Sequence, residues 1–225
     1  MERHEIKVIA RIRSDFPTKF GIPRQSGLAQ SLRARVVFEP EFRSDDALRG
    51  IEGFSHLWLI WQFSKAVREE FSPTVRPPRL GGNERLGVFA TRSPFRPNAM
   101  GLSCVKLEGV EKTANEGTVL LVSGADLMDG TPIYDVKPYL PYADCKAEAV
   151  GGFAAQEPER LTVDFPEALA ALFADDKRDA LTEILALDPR PRYKADGERV
   201  YGLPFAGREV KFRVNGGVLS VISVE

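Results

Sequence analysis

The feature that most constrains this chain is a succession of short segments in its first half, in which aliphatic and polar residues alternate with a period of two. Residues 5–13 (EIKVIARIR) place Ile6, Val8, Ala10 and Ile12 on one face and mostly charge on the other, the pattern of a half-buried strand. Comparable segments at 33–39, 54–63, 86–91, 102–110 and 118–123 are joined by Gly, Pro, Asp and Asn and predict further strands. Between them the one helical candidate is a single turn, Ser44–Arg49, where Ser44 would cap and Asp45 and Asp46 would favour the positive end. Strands that follow one another without long helices exclude a βαβ repeat and predict a mainly β fold, an antiparallel barrel or sandwich.

The texture changes near residue 150. Residues 166–187 (PEALAALFADDKRDALTEILAL) put Leu169, Leu172, Phe173, Leu181, Ile184 and Leu185 at helical spacing, which predicts one long helix with a possible break near Asp175 and Asp176. Segments 208–214 and 218–224 flank Asn215-Gly216-Gly217, a hairpin signal. The expected division is therefore a β domain over 1–150 and a small α+β domain over 151–225.

Composition narrows the function classes. The apolar run Phe54–Phe63 is far shorter than the roughly 20 residues of a membrane span. The first residues lack the apolar stretch and cleavage site of a signal peptide, so a cytoplasmic protein is expected. Two cysteines and two histidines, widely separated, leave too few ligands for a His/Cys metal site, and no metal is expected. A net charge of -1 conceals an asymmetry: residues 1–100 carry 17 Lys and Arg against 11 Asp and Glu. Arg76, Arg79, Arg85, Arg92 and Arg96 face the single acid Glu84 within Phe71–Asn98, a footprint suited to phosphates.

No GxGxxG opens a helix after a strand and no GxxxxGK[ST] occurs, so the common nucleotide cradles are absent. The stretch 73–102 holds five prolines and five arginines, a stiff loop system able to present charge with little entropy lost. In 123–144 (SGADLMDGTPIYDVKPYLPYAD), Asp135 and Lys137 project from one face of an extended segment. They either hold a ligand or form a structural ion pair. His56 reads more readily as a hydrogen-bonded core residue than as a catalyst. Trp58 and Trp61, three apart, face opposite sides of a strand.

Four ordered blocks carry a family resemblance: PRQSG at 23–27, GIEGFSHLW at 50–58, GVFATRSPFRPN at 87–98 and DGTPIYDVKPYLPYAD at 129–144. With them the chain resembles the TsaA-like family, and within it the bacterial tRNA-methylating members, which PTVRPPRLGGN and DPRPRY also resemble. Ala99-Met100 stands where many members carry a proline followed by an aliphatic residue.

The resemblance implies S-adenosylmethionine-dependent methylation of N6 of threonylcarbamoyladenosine, next to the anticodon of threonine tRNA. It also implies a small antiparallel β-barrel unlike the Rossmann methyltransferases, working as a homodimer. The cofactor is expected against Arg24, Gln25 and Ser26, against Ser64 and Lys65, Arg92 and Leu102, and against the turn Ser123, Gly124, Ala125 and Asp126. Arg92 suits its carboxylate and Asp126 its ammonium. The acceptor nitrogen is a poor nucleophile, so Asp135 is the candidate base, with Lys137 and Asn98 orienting the carbamoyl group. Alignment of methyl and nitrogen alone is the other reading. Arg76, Arg79, Arg85, Arg96, Arg190 and Arg192 are expected to grip the anticodon loop of tRNA. The competing functions are a non-catalytic RNA-binding protein with S-adenosylmethionine as regulator, and methylation of a small metabolite.

Overall fold

The computed structural model describes residues 2, 4–190 and 198–225. In chain order the first eight strands are β1 (Ala10–Arg13), β2 (Arg33–Phe38), β3 (His56–Gln62), β4 (Thr74–Val75), β5 (Leu86–Gly87), β6 (Met100–Thr113), β7 (Gly117–Ser123) and β8 (Pro132–Pro138). Six of them pair antiparallel in the closed order β1-β2-β7-β6-β3-β8, with β8 returning to β1. The fold is mainly β, as the alternation predicts. Strand β3 shows the cause directly: Leu57, Leu59 and Trp61 point inward and are buried, while His56, Trp58 and Ile60 point outward. Val36, Val105, Leu120, Val122 and Ile133 complete the interior of the ring.

The pair β4 and β5 forms a small hairpin beside the ring. After β8 come the short helix α1 (Pro141–Asp144), β9 (Thr162–Asp164), helices α2 (Glu167–Ala170) and α3 (Asp175–Ala186), β10 (Tyr201–Phe205), β11 (Arg208–Asn215) and β12 (Val218–Val224). A second sheet runs β10-β11-β12-β9, with β9 parallel to β12. Helix α3 packs Leu181, Ile184 and Leu185 over its core with Phe205, Phe212 and Leu219. This core also contains Phe16, Ala29 and Leu32, so the segment between β1 and β2 packs with the second sheet although it precedes most of the ring. Among the described residues, no helix is long and apolar enough to cross a membrane.

Several local expectations are corrected. Strand β1 begins at Ala10, not residue 5, because ladder pairing to β2 and β8 starts only there. Residues 88–90 form a 3-10 turn rather than continuing the strand predicted over 86–91. The predicted turn is a 3-10 helix at Asp45–Leu48, but Ser44 makes no side-chain cap. Asp45 turns instead to Lys112 Nζ at 2.7 Å and Thr118 Oγ1 at 2.6 Å. The break expected near Asp175 and Asp176 is present: the chain turns at 171–174, so 166–187 holds two helices, the second with an acidic start. His56 lies on the outer face, its Nδ1 2.9 Å from Ser55 Oγ, and is no core residue.

Candidate functional site

The site arises from the unequal reach of one strand. Over Met100–Lys106, β6 pairs with β3, and from Lys106 onward it pairs with β7. Strand β7 ends at Ser123, where Gly124 takes φ 75 and donates its N–H to Leu32 O at 2.9 Å, turning the chain away. A Cβ on Gly124 would meet the backbone of Gly27 at 3.2 Å, so glycine is required both by the turn and by the approach. Into the opening steps the loop that carries Ser26 and Gly27. Ser26 Oγ accepts the N–H of Cys104 at 3.1 Å, and Gly27 N–H donates to Gly124 O at 2.8 Å.

Strand alternation then fixes what the rest of this edge offers. Ala99 O accepts from Phe63 and Leu107 N–H donates to Ser55, so odd-numbered residues of β6 direct their backbone groups toward β3. Even-numbered ones face the side that β7 has left. Cys104 N–H is taken by Ser26, and by the same alternation the N–H and C=O of Leu102 face the opening. An adjacent donor and acceptor on a bare strand edge suit a planar heterocycle with donor and acceptor groups.

Beside this edge sits a hydrogen-bonded cluster. Trp61 Nε1 donates to Ser103 Oγ at 2.9 Å, and Ser103 Oγ donates to Asp126 Oδ1 at 2.5 Å. Arg92 donates to Gln25 Oε1. Desolvation pushes the Asp126 carboxyl up to about 6, against the Ser103 hydrogen bond, backbone amides and the Arg92 charge that favour its ionised form. A half-buried carboxyl short of a full counter-charge, next to an exposed guanidinium, fits a ligand carrying both an ammonium and a carboxylate. The residues present therefore fit S-adenosylmethionine.

Of the residues expected at the cofactor, Gln25, Ser26, Arg92, Leu102, Gly124, Ala125 and Asp126 come together here. Arg24 points toward the second sheet and lines a small cleft with Asp188. Ser123 turns its hydroxyl to Glu108 at 2.7 Å and, with Lys106 and Arg33, holds that carboxyl down at about 2. Ser64 and Lys65 lie in the exposed turn after β3.

The expected chemical residues sit on the outer face. Asp135, Ile60 and Leu102 form one row across β8, β3 and β6, and Lys137, Trp58 and Cys104 form the next. With strands about 4.8 Å apart, Asp135 is roughly 10 Å from Leu102. Asp135 and Lys137 pair at 2.9 Å. Asn98 is exposed at the start of β6, next to Ala99, whose φ of 42 is closed to the proline that many resembling sequences carry there.

The arginines divide. Arg76 is exposed and Arg79 half-buried on the loop between β4 and β5. Arg85 donates to Thr74 Oγ1 at 2.9 Å and Arg96 to Thr91 O at 2.8 Å. Arg190 is held by Asp188 through bonds of 2.8 and 2.9 Å and is largely enclosed, so it does not face solvent as a phosphate contact would. Arg192 lies outside the described residues. Two features went unread in the sequence. Ser103 and Trp61 link the cluster to the ring interior, and the exposed Phe71 and Phe89 stack with centroids 6.2 Å apart beside the arginine loops. Exposed phenylalanines spaced among arginines were the available signal for the second.

Comparison with known proteins puts this arrangement among the tRNA methyltransferases. Residues 11–145 match the tRNA-methyltransferase O N-terminal domain, and residues 158–225 match the TrmO C-terminal domain. An Escherichia coli relative named tRNA (adenine(37)-N6)-methyltransferase is 39% identical over 100% of this chain and 99% of its own length. A Pseudomonas aeruginosa relative, 44% identical over 89% of this chain and 88% of its own, is provisionally named an S-adenosylmethionine-dependent methyltransferase. The crystal structure of TrmO from Pseudomonas aeruginosa superposes with a TM-score of 0.82 at 35% identity, covering 100% of this chain and 99% of that one. The chain belongs to the tRNA-methyltransferase O family.

Proposed function

We propose that this protein transfers a methyl group from S-adenosylmethionine to N6 of threonylcarbamoyladenosine, next to the anticodon of threonine tRNA. The observation that carries this reading is the meeting of Arg92, Gln25, Ser26 and Asp126 at the bare edge of β6. The names of the relatives support N6 methylation of adenine 37 of tRNA, the coarser part of this reading.

When bound, S-adenosylmethionine supplies an electrophilic methyl on a sulfonium. Arg92 holds the carboxylate, with Gln25 fixing the guanidinium. Asp126 holds the ammonium, and the Leu102 backbone meets the adenine. As the new N–C bond forms, the acceptor N–H gives its proton to water. Asp135 is already neutralised by Lys137 and stands roughly 10 Å from Leu102, which favours alignment of acceptor and methyl over a dedicated base. Asp135, Lys137 and Asn98 then serve to orient the carbamoyl group. Arg76 and Arg79 meet phosphates while Phe71 and Phe89 offer a stacking surface to splayed bases.

The same reading holds a barrel-type catalytic domain over 1–150 with a C-terminal domain over 151–225, acting as a homodimer in the cytoplasm. Transfer of labelled methyl to threonine tRNA with and without the threonylcarbamoyl group tests the activity. Label entering only the carbamoylated tRNA is the expected outcome, and label entering neither, with cofactor binding intact, overturns it.

A further inference from the structure

Residues 15–32 are shared between the two cores. Their apolar side chains Phe16, Ala29 and Leu32 are buried with the second sheet, whereas Ser26 bonds to β6, Gly27 to the turn after β7 and Gln25 to Arg92 in the loop before β6. The second unit also grips this segment through polar side chains. Glu183, on α3, accepts the N–H of Ser31 at 2.9 Å and the Ser31 hydroxyl at 2.8 Å. Arg160 donates to Leu28 O at 2.9 Å. Asp188, just past α3, lines a cleft of about 50 Å³ with Arg24.

These grips lie next to the atoms that shape the site. Ser31 precedes Leu32, whose carbonyl accepts the N–H of Gly124 and so sets the turn that delivers Asp126. Leu28 follows Gly27, whose N–H holds Gly124 O from the other side. A carboxylate that receives both donors of one serine fixes the position and the orientation of that residue. A shift of 1 Å here would move Ser26 off Cys104 and carry Gly124 with it.

We propose that Glu183, seconded by Arg160, is a positioning residue through which the C-terminal unit holds loop 24–32 in ligand-binding geometry without touching the ligand. The proposal rests on the reading that this loop and Asp126 hold S-adenosylmethionine.

Binding of S-adenosylmethionine and S-adenosylhomocysteine to the full chain, measured by calorimetry, tests it together with hydrogen exchange of the 24–32 amides and thermal melting. Glu183→Ala should weaken binding about tenfold and speed exchange in 24–32. It should raise KM for S-adenosylmethionine more than it lowers kcat. Glu183→Gln, which can still accept the Ser31 N–H and donate to its hydroxyl, should recover most of the affinity. Should Glu183→Ala melt too early to titrate, Ser31→Ala and Arg160→Ala decide, since each removes one grip and leaves α3 and its core intact. Unchanged affinity and exchange in folded variants overturn the proposal. If Arg92→Ala and Gln25→Ala also leave affinity unchanged, the assignment of the site fails. If those two weaken binding and the grip variants do not, only the positioning role fails.

Discussion

Ser103 joins Asp126 to the interior of the ring: its hydroxyl donates to the carboxylate at 2.5 Å while accepting the Trp61 indole N–H at 2.9 Å. The hydroxyl has one proton, and Trp61 fixes where it points. Asp126 is thus held by a buried donor on one side and faces the opening on the other, which makes its protonation state a working part of the site.

With its pKa pushed up to about 6, Asp126 is ionised at pH 7.5 and mostly protonated at pH 5. Calorimetry across pH 5–8 should show S-adenosylmethionine affinity rising through pH 6 and levelling above pH 7. Asp126→Asn should remove that dependence and weaken binding. Stability runs the other way. The folded state keeps this proton where the unfolded chain, near 3.8, has released it, so the contribution is greatest below pH 4 and is lost as pH rises toward 6. The loss is on the order of 2 to 3 kcal/mol, and Asp126→Asn should flatten that part of the Tm-against-pH curve.

Arg92 is exposed and bonds only to the side chain of Gln25 among the described residues. Arg92→Ala should therefore leave Tm nearly unchanged and weaken S-adenosylmethionine binding by roughly 10- to 100-fold, the worth of a charge-assisted hydrogen bond. A melting curve and a titration on the same preparation check both halves.

Gly101 faces Trp61 so closely that a Cβ would lie 2.3 Å from the indole ring, and that ring is buried. Gly101→Ala should destabilise by about 1–3 kcal/mol, as overpacking does, and lower Tm by several degrees. Because the displaced indole is the one that orients Ser103, the variant should also bind S-adenosylmethionine less tightly.

Filter binding of tRNA over a salt series separates the two kinds of contact on the loop surface. Arg76→Ala and Arg79→Ala should each lower affinity and reduce the salt slope by somewhat under one unit, about 0.7 for single-stranded contacts. Phe89→Ala should cost about 1–3 kcal/mol with the slope unchanged, because stacking releases no counterions.

How much of this was legible in the sequence depends on the range of the forces involved. Strand β3 was readable because one face is buried, which imposes strict alternation on Leu57, Leu59 and Trp61, and β2 and β7 were readable as short aliphatic, β-branched runs between turn signals. Strand β8 hid behind Pro132, Asp135 and Pro138, and β10 behind Gly202 and Pro204, all residues that usually mark turns. The motif blocks held Gln25, Ser26 and Arg92, and Asp126 followed only from the family resemblance. Nothing local signalled that Ser103 would meet Asp126, or that Glu183 would reach back 152 positions to Ser31. Such partners are set by the packing of two cores, which no window of the sequence contains.

A strand with unpaired backbone groups is ordinarily a template on which another chain can add, the first step toward aggregation. Here the ring is otherwise closed and the Ser26 hydroxyl occupies Cys104, so the length left open around Leu102 is too short to seat a foreign strand. A small molecule can still use it. The fold thereby keeps an adhesive edge in reserve and makes it selective by size.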